Sequence, residues 1–392
     1  MVMPSPCASS ARLHALDGLR AVAMLLGIVL HSAVPFIAAP IPWPVHDSNQ
    51  SLGMLMLVGA IHGFRMQLFF FLAGFFGHLL WQALGTRQFL RQRFTRIGVP
   101  FLVGMLTIVP LILVIWWWAD SITGSSFMRR QMSNVSILRY PTAHLWFLEV
   151  LLLLYLASTA LAWCAKYVDG TVYLHRMESA FDWLMRQSLK PLLLAVPTVA
   201  LLWGGPMLGE VDQPGMRLLP AARALGYYGL FFAVGWWLQG QRHLLDVLRR
   251  GLAPYFVLAL ISFLILGACL GVRINRNDPS FTALKLVALV AASLYAWFMT
   301  FAMTGLFLRV AAQRREWVRY LADASYWCYL CHVPLVMVLQ IAVWSWPANA
   351  WLKFGLVLSI TMAVLLASYH GLVRYTWVGR LLNGQRRMTL SG

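Results

Sequence analysis

Polar positions in this chain are sparse enough to act as punctuation between long apolar runs. Ten runs are predicted to cross a membrane as helices. They lie near 18–38, 52–81, 97–118, 144–165, 190–208, 222–240, 253–273, 281–308, 325–345 and 349–372. Most approach the roughly 20 residues that a helix needs to span a hydrocarbon core about 30 Å thick. The run at 52–81 is longer and is expected to tilt or protrude. The fold class this predicts is all-α, a polytopic membrane helical bundle.

Composition agrees and removes other classes. Hydrophobic residues make up 60% of the chain and charged residues only 11%, which excludes a soluble multidomain protein. The net charge of +18 suits loops lying on anionic lipid head groups and an anionic substrate. A basic soluble face is missing, so nucleic acid is not an expected partner. The five cysteines, Cys7, Cys164, Cys269, Cys328 and Cys331, are scattered and imply no disulfide framework. Residues 1–15 are short and polar, so no removable signal peptide is expected. The chain reads as one integral-membrane domain over 1–392.

Lys and Arg placement sets the orientation. A cytoplasmic N-terminus puts most of the basic residues inside, among them the group Arg87, Arg91, Arg93 and Arg96, the group Arg309, Arg314, Arg315 and Arg319, and the tail Arg374, Arg380, Arg386 and Arg387. Residues 1–15 and the tail 373–392 are then both cytoplasmic. The loop with Arg129, Arg130 and Arg139 is the main exception. No repeated motif relates the two halves, so the inverted repeat common in transporters is not evident.

Ionisable residues inside a membrane are costly and by default mark a site. In LDGLRAVAMLLGIVLHSAVP (16–35), Arg20 and His31 are separated by almost three whole turns and share one helix face, about 16 Å apart. Asp17, Met24 and Gly27 lie near the same stripe. Gly27 leaves room for another group to approach the histidine. The stripe should face a polar interior, with something charged entering at Arg20 and something deprotonated at His31. The second run adds His62 and Arg65 in IHGFRMQLFFFLAGFF, one turn apart. Arg65 is either half of an internal ion pair or an anion ligand; His62 is either a packing residue or a substrate contact. The stretch RQFLRQRFTR (87–96) reads as an amphipathic cytoplasmic surface element, with Arg87 and Arg91 facing lipid phosphates. His144-Leu-Trp146-Phe-Leu-Glu149 opens the fourth run from the outer side. Glu149 then sits about 9 Å in, where it would touch a sugar hydroxyl or balance an arginine. In the ninth run, Cys328-Tyr-Leu-Cys331-His332 has the c-type haem spacing, but it lies in an apolar run with no accessible loop. Cys328 and Cys331 read better as packing residues, and no metal is assigned.

These segments resemble the membrane acyltransferase-3 family. The resemblance rests on D-G-L-R followed by Arg-x10-His in the first run, Arg93-x-x-Arg96 heading the third, H-L-W-F-L in the fourth, and S-Y-x-x-Y-L-x-H-x-P in the ninth. The last pattern puts His332 toward the bundle interior. The resemblance implies transfer of an acyl group from cytoplasmic acyl-coenzyme A to a sugar or other acceptor, in a bacterial inner membrane. It makes His31 the catalytic candidate, and with Arg20 it puts Arg93 and Arg96 at a mouth for the coenzyme phosphates. Many members carry paired glutamates where this chain has Leu151 and Leu152, so Glu149 departs from the pattern. The segments IHGFRMQLFFFLAGFF and RFTRIGVPFL look most like the branch that succinylates periplasmic glucans, which implies glucan-biosynthesis proteins as partners.

The implied reaction needs no permanently bound cofactor, only acyl-CoA as co-substrate, either succinyl- or acetyl-CoA. His31 acts as general base or is transiently acylated. Arg65 is the candidate for the donor's own carboxylate. Asp17, His62, His144, Trp146, Glu149 and His332 are candidate substrate or transition-state contacts. The competing class is a non-catalytic transporter or flippase of a glycan or acylated intermediate. It explains buried charge, but not an arginine cluster aligned with a histidine three turns deeper.

Overall fold

The computed structural model describes residues 6–133, 140–165, 171–205, 215, 218–272, 274–275, 277–311 and 315–383. Arg139, Lys166, Arg314, Arg386 and Arg387 of the charge pattern lie outside them, as do 206–208 and 273 at the ends of two predicted runs.

The described chain is built of helices: α1 (Pro6–Ala33), α2 (Leu52–Arg93), α3 (Val99–Thr123), α4 (Phe127–Met132), α5 (Trp146–Cys164), α6 (Thr171–Arg186), α7 (Lys190–Trp203), α8 (Ala222–Gly240), α9 (Leu245–Arg250), α10 (Leu252–Gly271), α11 (Phe281–Val310), α12 (Glu316–Val343), α13 (Ala350–Ser368) and α14 (Trp377–Asn383). No β-strand forms among the described residues; Ile37 and Ser51 make one isolated bridge. Each of the ten predicted runs coincides with a helix. By length and hydropathy, however, seven helical segments are able to cross a membrane, and one of these, Leu52–Thr123, contains two of the runs. The runs at 190–208 and 222–240 fall on α7 and α8. The first is only 14 residues long, about 21 Å. The second carries tyrosines, glycines and Gln239 on faces buried against protein.

Between Leu52 and Thr123 the chain never leaves helical geometry for long. Gly85 breaks α2 with φ 72° and ψ 167°, a backbone open to glycine and strained for other residues. The basic stretch expected on the surface continues as helix beyond it, and a π-helical turn at Phe94–Gly98 leads into α3. Pro100 follows this turn within continuous helix, and the Arg96 carbonyl that its missing N–H cannot serve accepts the Tyr326 hydroxyl (2.7 Å).

α1 lies among α2, α11, α12 and α13. A Cβ on Gly18 of α1 would stand 3.2 Å from Val318 of α12. Asn383 of α14 donates to the Asp323 carbonyl (2.9 Å). The beginning of α1, the beginning of α12 and α14 therefore share one end of the bundle. α2 and α8 approach until backbones touch: a Cβ on Gly74 would collide with the Phe232 carbonyl, and one on Gly235 with that of Phe71. Small residues at such crossings are how membrane helices gain packing without a hydrophobic drive. Outside, Leu102, Leu106 and Val114 of α3 and Val257, Leu260 and Leu264 of α10 are exposed, an apolar girdle suited to lipid.

Candidate active site

The stripe on α1 joins two clusters. At the end shared with α14, Arg20 pairs with Asp17 (3.1 Å), both half-exposed, and lies over the Phe76 ring (5.3 Å). Arg93 lies over Phe89 and Tyr155 (5.4 and 5.2 Å). Arg96 is held by its backbone, since Tyr326 donates its hydroxyl to the Arg96 carbonyl (2.7 Å). Arg93 and Arg20 are both near enough to act electrostatically on Arg96. Three guanidiniums with one carboxylate leave an excess of positive charge, which suits an anion with several phosphates.

Deeper along α1, three imidazoles from three elements form a row. The His332 ring centroid is 5.2 Å from His31 and 5.1 Å from His144. Backbone contacts fix two of the tautomers. His332 Nδ1 stands 2.7 Å from the Tyr329 carbonyl and His144 Nε2 stands 3.0 Å from the Leu330 carbonyl; a carbonyl only accepts, so both nitrogens carry hydrogen. That leaves His332 Nε2 and His144 Nδ1 as buried acceptors without partners, and His31 Nδ1 is likewise buried and unpartnered. Three buried ring nitrogens without a partner are a cost that a bound ligand or water would relieve. The backbone supports the row at a further cost. Ala143, just before His144, has φ 47°, a left-handed conformation that costs a side-chain-bearing residue about 1–3 kcal/mol. Tyr329 holds the turn by donating its hydroxyl to the His144 carbonyl (2.7 Å).

Arg65 comes to the same place from α2. A Cβ built on Gly27 would lie 2.5 Å from Arg65 Nη1, so the group that Gly27 admits is this guanidinium, one helical turn before His31. Tyr228 and Tyr329 are its near electrostatic neighbours. The alternative of an Arg65–Glu149 ion pair does not hold. Among the described residues no carboxylate pairs with Arg65, and Glu149, though buried, leaves Oε2 without any partner. Arg65 meets α1, whereas Glu149 enters on α5, and sharing a depth did not bring them together. His62 is partly exposed and within electrostatic range of His31. Trp146 packs on Tyr228 and Phe70 (5.2 and 6.3 Å). Cys328 is fully buried. The partly buried His78 stacks on Trp236 (4.8 Å) with Nδ1 2.6 Å from its carbonyl.

Two residues beside His31 were missed by the sequence reading. Trp43 stacks on the His31 ring (5.5 Å, 17°), and Gln340 of α12 donates to the His31 carbonyl (2.7 Å). A glutamine inside an apolar run was the available signal. Lys353 of α13 is buried in an ion pair with Asp47 (2.7 Å).

Comparison with known proteins identifies the family. The acyltransferase-3 model, described as an acyltransferase domain, matches residues 13–370. Among curated relatives, glucans biosynthesis protein C of Escherichia coli O139:H28 (strain E24377A / ETEC) is 25% identical over 373 residues, covering 92% of this chain and 91% of its own. The proteins of the same name from Escherichia coli strain K12 and from O6:K15:H31 (strain 536 / UPEC) are also 25% identical with the same coverage. No solved structure matches the chain. The row of histidines and the arginine cluster thus sit in a membrane-embedded acyl-transferring enzyme, and the chain belongs to the acyltransferase-3 family.

Proposed function

We propose that this protein moves a succinyl group from cytoplasmic succinyl-CoA to hydroxyls of a periplasmic glucan. The observation that carries the reading is Arg65: a guanidinium deep in the bundle, against Gly27 and one turn from His31, with no carboxylate paired to it among the described residues. A forked guanidinium without a counter-ion suits a carboxylate ligand, and a succinyl thioester supplies one where an acetyl thioester does not. The names of the relatives add the glucan acceptor.

In this reading the donor enters at Arg20, Arg93 and Arg96, which hold its phosphates. Its acyl arm follows α1 until the thioester carbonyl lies beside His31, and the succinyl chain turns back by one helical turn so that its terminal carboxylate meets Arg65. The acceptor hydroxyl arrives from the opposite side. His31 takes its proton as the oxygen attacks the carbonyl carbon, the C–S bond breaks, and the coenzyme leaves as thiol with the proton returned by His31. His332, whose Nδ1 is committed to a carbonyl, supports the His31 ring from behind. The enzyme lies in the bacterial inner membrane with both termini cytoplasmic, beside the proteins that build the glucan.

The test is a transfer assay on the purified full chain in lipid vesicles, with isotope-labelled succinyl-CoA, acetyl-CoA and glucan. Succinyl ester on the glucan is the expected product. Acetyl ester in its place returns the donor to acetyl-CoA; no ester with either donor, together with glucan movement across the vesicle, makes the protein a transporter.

A further inference from the structure

The loop between α1 and α2 carries no charge-relay motif, yet it is fastened more firmly than a connecting loop requires. Its first turn returns to the second: Asp47 donates its N–H to the Pro35 carbonyl (3.0 Å), and Ser51 to that of Phe36 (2.8 Å). Its middle is tied to α13 by Lys353 Nζ–Asp47 Oδ2 at 2.7 Å, with side chains 0% and 1% exposed. The Trp344 indole donates to the His46 carbonyl (3.1 Å). At the centre, in IPWPV, Pro42 and Pro44 restrict the backbone on either side of Trp43. That indole stacks on His31 and donates its Nε1–H to Gln340 Oε1 (2.9 Å). The amide of the same Gln340 donates to the carbonyls of His31 (2.7 Å) and Ser32 (3.4 Å). One glutamine therefore fixes both the indole over the imidazole and the backbone that carries the imidazole.

We propose that Trp43 and Gln340 are positioning residues for His31, and that the loop pinned by Asp47–Lys353 holds the Trp43 indole against one face of the His31 ring. The inference rests on His31 being the reacting group. An imidazole at the end of a helix has two free torsions. Stacking on an indole held at its far edge removes the ring rotation that would otherwise have to be stopped at each turnover. The tie also explains a polar Gln340, 1% exposed, in an apolar helix: both ends of its amide are used in this contact.

Trp43→Ala, Trp43→Phe and Gln340→Met in the full chain test the proposal through two readouts. Kinetically, Trp43→Ala should lower kcat at least about tenfold with donor KM unchanged within about twofold, and Trp43→Phe, which keeps a ring for stacking, should recover most of it. Gln340→Met, which keeps the volume and loses all three hydrogen bonds, should fall between. The second readout does not need turnover: carbethoxylation by diethyl pyrocarbonate, mapped by mass spectrometry. In Trp43→Ala, labelling should rise severalfold at His31 and stay as in the wild type at His144 and His332. Unchanged labelling at His31, an equal rise at all three histidines, or an unaltered kcat overturns the proposal. Retained turnover in His31→Ala would instead overturn the role of His31 itself, while the labelling still reports whether Trp43 covers the ring.

Discussion

A single methyl group separates the structural and catalytic uses of Gly27. In Gly27→Ala the new Cβ stands 2.5 Å from Arg65 Nη1 and 3.3 Å from its Cζ. Ordinary contact is about 3.5 Å, so the guanidinium has to withdraw by about 1 Å. The obstructing atom is the far end of a flexible side chain, so the withdrawal is cheap. Exchange of glycine for alanine inside a helix returns about 0.8–1.0 kcal/mol. Stability should therefore hold or rise. Activity should not, since a misplacement of about 1 Å in a group that orients substrate costs about 10²-fold in rate. The assay is steady-state succinyl transfer beside thermal unfolding of the same detergent-purified sample. Gly355→Ala is the control, because a Cβ at that helical position meets nothing within 4 Å. A Gly27→Ala protein with wild-type turnover would show that Arg65 takes no part in placing the donor; one that unfolds early would show that the contact is structural.

Other substitutions probe the same assignments. His31→Ala should cut acyl transfer by about 10²–10⁴ in a protein that still inserts and purifies; turnover above about a tenth of wild type would make His31 a packing residue. Arg65→Gln should abolish succinyl transfer and spare acetyl transfer in competition kinetics with both donors, whereas equal loss with the two would return Arg65 to a structural role. Asp47→Ala should strand the Lys353 ammonium in a buried site and cost about 3–5 kcal/mol, read as an early unfolding transition; Asp47→Leu with Lys353→Met should recover most of that stability, and no recovery would mean the pair does more than neutralise itself.

How much of this was legible in the sequence depends on the distance over which each feature is encoded. Every predicted run became helix because apolar content and the 3.6-residue period are local properties. The alignment of Arg20, Gly27 and His31 on one stripe was readable for the same reason. The passage from α2 to α3 was not: hydropathy falls at 82–96, yet Arg, Gln and Leu favour helix there and Phe89 packs against Tyr155 in the core. Hydropathy alone does not settle the number of crossings: α8 lies among the ten runs but is not one of the seven segments long and apolar enough to cross. At the site, the residues missed are those whose partners are far away in sequence. Trp43 meets Gln340 across 297 residues, and Asp47 meets Lys353 across 306. Charge and depth along a run suggested Glu149 for Arg65, but depth fixes only one of three coordinates, and the helix crossings decide the rest.

The two buried cations show why pairing is the informative quantity. Lys353 and Arg65 both reached the interior against a desolvation cost of several kcal/mol per ion. Lys353 is neutralised by Asp47 in a pair closed to solvent on both sides. Its charge is used up in holding a loop, and nothing further is required of it. Arg65 meets a glycine, tyrosines and a histidine, none of which returns a full negative charge. An unneutralised charge in such a place is costly, and an anionic partner bound during the working cycle would offset that cost. On the function proposed above, the compensating charge is the carboxylate of the succinyl donor.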